Sequence, residues 1–110
     1  MTTGRRLPRI AALSGPEAGR ARHLLVHSPV HAGADAVTWT LTLLAEDDVP
    51  LAESRTSAPN YPLPLEDIAQ VHLDVVGLSA TGRWTPEPSE DGAPRFRTPV
   101  RPAALRDDPV

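Results

Sequence analysis

The chain has 110 residues, a net charge of −3 and no cysteine, and all eleven of its basic residues are arginine. This excludes a disulfide framework, a thiolate nucleophile, cysteine-based metal sites, lysine Schiff-base chemistry and the usual lysine-containing phosphate loop. Thirteen prolines, only four aromatics (Trp39, Tyr61, Trp84 and Phe96) and an alanine-rich apolar fraction predict one small domain with a thin core and no cofactor.

Residues 1–21 lack apolar periodicity and contain Gly4, Pro8, Gly15, Pro16 and Gly19. A flexible basic arm is expected there, with at most a short helical turn after Ser14. The charge supports an arm. Residues 1–22 carry Arg5, Arg6, Arg9, Arg20 and Arg22 against Glu17 alone, whereas the rest of the chain is acidic. Arg5-Arg6 resembles a twin-arginine start. However, the apolar run behind it, Ile10-Ala11-Ala12-Leu13, is shorter than the roughly 7–15 residues of a secretory core. No stretch approaches the roughly 18 apolar residues of a membrane span. The expected location is therefore cytoplasmic, with no membrane partner.

Residues 22–102 read as a single α+β domain. The run His23-Leu24-Leu25-Val26-His27, stopped by Pro29, favours a strand. Residues 36–45 give a clearer one: Val37, Trp39, Leu41 and Leu43 alternate with Thr38, Thr40 and Thr42, and successive side chains of a strand face opposite ways. Glu46-Asp47-Asp48 reads as a solubilising turn. Residues 49–53 return as a third strand, completing a meander, and 54–62 read as a loop.

The clearest helix spans 64–76. Pro64 suits the first turn, Glu66 and Asp67 suit the positive end of the helix dipole, and Gly77 suits the left-handed stop. At about 100° per residue, Leu65, Ile68, Ala69, Val71, Leu73, Val75 and Val76 form one wide apolar face, with His72 near its centre. Residues 80–88 and 94–101 form a final hairpin turned at Asp91-Gly92. Pro86, Pro88 and Pro99 confine its strands to edges or irregular positions. Residues 103–110 read as a flexible tail. The expected architecture is an antiparallel sheet of four to five strands with one helix on one face, in the order β-β-(β)-α-β-β.

The pattern Trp39-x-Leu41-x-Leu43, Pro62-x-Pro64, Val76-Gly77, Trp84 and Thr98-Pro99-Val100-Arg101-Pro102 resembles a family of small actinomycete proteins of unknown function, found near plasmid- and phage-derived genes. Lysine-free, Arg-, Ala- and Pro-rich usage fits such a GC-rich source. The resemblance covers residues 36–102. It implies a fold and a genomic setting, and no reaction.

Several residues are candidates for function. His23, His27 and His31 are spaced by four. On a helix that spacing shares a face and chelates zinc, but on a strand the neighbours stand about 13 Å apart. Pro29 forbids a helix through all three. A site on His23 and His27 would need His72 or Asp35 to complete it, so half-exposed histidines and no metal are expected. His72 reads either as a core-edge histidine or as a pH-responsive, partner-contacting group. Arg95, Arg97 and Arg101 share one strand parity, with Arg83 across the hairpin. They form a strip for an anion or nucleic acid, or a solvated face paired with Glu87, Glu90 and Asp91.

No Gly-x-Ser-x-Gly elbow or phosphate loop exists, so catalysis is not expected. The leading reading is a non-catalytic accessory protein. It would act through a protein partner or a homodimer, using exposed edge strands with Trp84, Phe96 and His72 as contact residues. Trp39 reads as core. The alternative is arginine-mediated binding of nucleic acid or another anion.

Overall fold

A computed structural model describes residues 7–27, 36–59, 65–87 and 95–103. One antiparallel sheet dominates it. Its strands are β1 (His23–His27), β2 (Ala36–Leu44), β3 (Pro50–Pro59), β4 (Leu78–Ala80), β5 (Thr85–Glu87) and β6 (Arg95–Pro102). The spatial order is β3-β2-β1-β6-β4, with β5 also paired to β6. The expected meander and final hairpin are both present. The expected fold class holds, and the third strand is real.

β1 lies at the centre, antiparallel to β2 on one side and to β6 on the other. Its alternation decides which face is buried. Leu24 and Val26 point with Leu41 and Leu43 of β2 toward a single core, joined there by Ala52 and Val100. His23, Leu25 and His27 point the other way. Arg22 extends both ladders by one residue: its N–H donates to Leu44 at 2.7 Å and its carbonyl accepts from Val100 at 2.9 Å.

Two helices flank the sheet, α1 (Gly15–Ala18) and α2 (Leu65–Asp74). α2 lays Ile68, Ala69 and Leu73 on the core. The buried stripe is narrower than the expected face, because Val71 and Val75 are 69% and 63% exposed. Placed at 100° per residue, Val75 falls about 20° and Val71 about 60° beyond the Ile68 side of the Ile68–Ala69–Leu73 stripe, away from the sheet. Gly77 follows at φ 73°, the left-handed stop expected for it.

Three further departures from the sequence expectation have physical causes. First, the stretch 54–59, expected as a loop, continues β3, pairing residue for residue with β2 from Ala52 opposite Leu43 to Pro59 opposite Ala36. Ser54 and Thr56 carry no apolar alternation, but pairing with β2 supplies their backbone partners. Second, the strand expected at 80–88 is two strands, β4 and β5, on the same side of β6. Residues 81–84 stand against only Thr98 and Pro99, so the chain bulges there, with Gly82 at φ 86°.

Third, residues 7–21, expected within the basic arm, pack on the domain; residues 1–6 lie outside the described residues. Ile10, in a 3-10 turn (Ile10–Ala12), is fully buried with Ala18 and Ala21. The turn α1 is fixed by a capping box: Ser14 Oγ accepts from Glu17 N–H, and Glu17 Oε1 accepts from Ser14 N–H at 2.8 Å. Those backbone and hydroxyl donors hold the Glu17 carboxyl below its ordinary pKa.

Thr98 is fully buried on the helix-covered face, and among the described residues its hydroxyl makes only a long 3.5 Å contact to the Pro99 carbonyl. Thr98→Val keeps the shape and removes a poorly satisfied hydroxyl, so stability should rise by about 1 kcal/mol in urea unfolding. A loss of stability would show that the hydroxyl makes a stronger bond than this contact.

Candidate functional site

The sheet has one face covered by α2 and the N-terminal turns, and one polar face without a covering element among the described residues. On the polar face, Arg97 is the hub. Its Nη1 and Nη2 donate to Asp48 at 2.9 and 3.2 Å, and its Nε donates to Glu87. Arg95 Nε lies 3.7 Å from Glu87. The bidentate hydrogen bond to Asp48, then that to Glu87, raises the Arg97 pKa, and the same contact holds the Asp48 carboxyl below its usual value.

The arginine strip is thus partly neutralised from within. Arg95, Arg97 and Arg101 share the expected parity, but Arg97 is engaged on three donors. Arg83 lies in the bulge and is exposed, as is Arg101. Glu87 is one of the expected partners; Glu90 and Asp91 lie outside the described residues. Asp48, 49 positions from Arg97, was not among the expected ones. Asp47 and Asp48 both adopt positive φ, 62° and 60°, which curls the β2–β3 turn back over the polar face. No local pattern announces that long-range contact.

His23 and His27 occupy the same polar face at opposite ends of β1 and are half-buried. At ~3.3 Å per residue they stand about 13 Å apart. No group of three or more metal-ligating side chains converges among the described residues; His31 and Asp35 lie outside them. Trp84 and Trp39 are half-buried and pack against the core on the helix-covered side, each with a buried indole Nε1 lacking a partner among the described residues. Phe96 points to the same side, opposite Pro86, and is half-buried. Trp84, Phe96 and His72 therefore do not form one patch: His72 lies elsewhere.

That place is the free side of β3, the edge strand. Glu53 N–H donates outward to the Pro8 carbonyl at 2.9 Å. In an antiparallel strand, residues two apart aim their backbone groups the same way. Arg55 and Ser57 therefore present N–H and C=O to the outside, and no strand among the described residues takes them. The opposite edge is different. β4 and β5 are short, a bulge separates them, Pro86 lacks an N–H, and Gln70 Nε2 donates to the Leu78 carbonyl at 3.2 Å. That edge is blunted throughout, whereas on β3 the protection is partial: Pro8 covers the edge at Glu53 and prolines stand at both ends, which leaves Arg55 and Ser57 outward-facing without a partner among the described residues.

Beside the β3 edge lies an open cleft of about 810 Å³, lined by Leu7, Arg9, Ala11, Glu53, Arg55 and His72, with Ser54 at its floor. Ser54 Oγ accepts from Ile10 N–H at 2.9 Å. Ser54 and His72 share this cleft without a hydrogen bond between them, so no nucleophile–base pair is formed. Arg9 and Arg55 make no ion pair with another described residue. Sequence reasoning singled out His72 alone here, because Arg9 and Arg55 meet only through tertiary packing.

Burial lowers the His72 pKa from 6.5. The neutral form therefore contributes stability in full above pH 6.5, and that contribution is lost as the pH falls through 6.5 toward the lowered folded value. His72→Gln should therefore flatten part of the fall in urea midpoint between about pH 7.5 and pH 5.5. An unchanged pH profile would mean that other groups carry the acid sensitivity.

No family model, curated protein or solved structure matches this chain. Among the described residues, no helix is long and apolar enough to cross a membrane.

Proposed function

We propose that this chain is a non-catalytic, cytoplasmic binding protein that acts by taking up a strand of a protein partner along the outer edge of β3. The observation that carries this reading is the contrast between the two sheet edges. One is interrupted and capped; the other is a ten-residue strand whose Arg55 and Ser57 backbone groups face outward. Strand addition draws affinity from main-chain hydrogen bonds and specificity from alternate side chains. The neutralised Arg97 and the absence of a joined Ser–His pair in the cleft weigh in the same direction. Neither leaves a constellation suited to catalysis or to a phosphate backbone.

Ser57→Pro tests the reading. Proline is tolerated on an edge strand where the lost N–H faces outward, so the fold should persist by circular dichroism. Proteins retained by the wild type in affinity capture from its host, at low and high salt, should be lost from the variant. Identical captured sets would remove the β3 edge from the function. Thr56→Pro serves as the contrast, since Thr56 turns its backbone toward β2 and its loss should disrupt the sheet itself.

A further inference from the structure

We infer that the segment added to β3 is an acidic peptide, with one of its carboxylates held by Arg9 and Arg55 in the cleft at the end of the open edge. This rests on the reading of β3 as the strand-addition edge and names the chemistry of the partner.

Charge is the first reason. Arg9 and Arg55 line one cleft and neither has an acidic partner among the described residues, whereas Arg97 is bonded to two carboxylates and Arg95 lies 3.7 Å from one of them. Arg55 borders the opening from the polar-face side of β3 and Arg9 from the N-terminal segment, and a guanidinium can bind a carboxylate through paired N–H donors.

Placement is the second reason. The segment 7–9 occupies the outer side of β3 at Glu53, through the Pro8 carbonyl. A strand bonded to Arg55 and Ser57 would run along the same line and meet that segment end-on, which brings it to Arg9. Leu7 and Ala11 give the cleft an apolar wall against which the stem of an acidic side chain can lie.

The same geometry limits the acidity. Glu53 is two residues from Arg55 on the same face of β3, about 6.8 Å along the strand. A carboxylate placed beside Arg55 is matched, while the next same-face position of an added strand stands beside Ser57, which carries no charge to match a second one. The occupant therefore carries one carboxylate at the cleft rather than an unbroken acidic run.

A second copy of this chain is a poorer occupant. In a two-fold antiparallel pairing of β3 with itself through Arg55 and Ser57, Arg55 of one copy stands opposite or diagonal to Arg55 of the other. Like charges at such positions are destabilising.

The test uses the full-length protein and three fluorescein-labelled peptides of alternating threonine and valine, identical except for a central glutamate, glutamine or lysine. Anisotropy at low salt should show the glutamate peptide binding about tenfold tighter than the glutamine one, with lysine weakest. The preference should vanish in the double variant Arg9→Gln/Arg55→Gln and shrink at high salt, and Ser57→Pro should abolish binding of every peptide. Equal affinity for all three, with Ser57→Pro still abolishing binding, would overturn the acidic-partner inference and leave strand addition standing. A glutamate preference that persists in the double variant would also overturn it. If no peptide binds, or if Ser57→Pro changes nothing, the β3-edge reading fails as well. Peptide-independent dimerisation lost in Ser57→Pro would assign the edge to a second copy instead.

Discussion

Ile10→Ala is expected to destabilise the protein by about 2–5 kcal/mol, a large part of the roughly 5–15 kcal/mol that holds a domain of this kind together. Ile10 is fully buried and is one of few large side chains that are. It belongs to the same core as Leu24, Leu41, Leu43 and Leu73, so truncating it leaves a cavity where β3, α2 and the N-terminal turns meet. Its backbone N–H is also committed to Ser54 Oγ. Loss of the anchor should therefore release that bond and the Pro8–Glu53 contact together. Urea unfolding followed by tryptophan fluorescence gives the magnitude, and amide exchange at Glu53 reports the local release. Ile10→Val should cost only about 0.5–1.5 kcal/mol. If Ile10→Ala matched the wild type, the packing of residues 7–21 would contribute nothing to the fold.

The second large effect is at Arg97. Its side chain is only 21% exposed, and it donates to Asp48 and Glu87 from a position directly opposite Leu25 on the polar face. Leu25 is buried although no element among the described residues covers that face. The aliphatic stem of Arg97 supplies cover while the head group stays paired. Arg97→Ala removes both and should cost about 1–2 kcal/mol, discounted from the buried case because Asp48 is exposed. Arg97→Met keeps the stem and should recover part of that loss. The pair is also pH-dependent. Asp48 titrates below its ordinary 3.8, so its contribution is present above that pH and disappears as the pH falls through the lowered value. Wild type and Arg97→Met should then converge in strongly acidic solution. Equal stability of all three proteins at neutral pH would show that the hub is a solvated, energetically neutral pairing.

Much of the sheet was legible because its strongest signals are local. The alternation of Trp39, Leu41 and Leu43 with threonines fixes the inward face of β2, and Pro86 and Asp91-Gly92 mark a final hairpin with an irregular outer strand. The helix was legible from its acidic start and Gly77, but not the width of its buried stripe: helical spacing of apolar residues does not say which of them reach the sheet, and Val71 and Val75 do not. Ser54 and Thr56 gave no apolar signal, so the length of β3 depended on a partner strand that local reading cannot supply. Ile10 was hidden among glycines and prolines, since one buried residue in a 3-10 turn has no periodicity. The candidate cleft was least legible of all. Arg9, Arg55 and His72 come from three separate segments, and only packing of the first onto β3 brings them to one opening.

The position of β1 also bears on how the chain reaches this state. The central strand, residues 23–27, borders β2 on one side, but its other neighbour is β6 at 95–99. During synthesis, the backbone groups of Leu24 and Val26 that face that side have no native partner until residues 95–99 emerge. Closing so long a loop is slow, and an apolar strand left unpaired in the meantime invites pairing with other nascent chains. Fragments ending before β6 should accordingly aggregate rather than form a smaller version of the sheet, and the yield of soluble protein should depend on how promptly translation is completed.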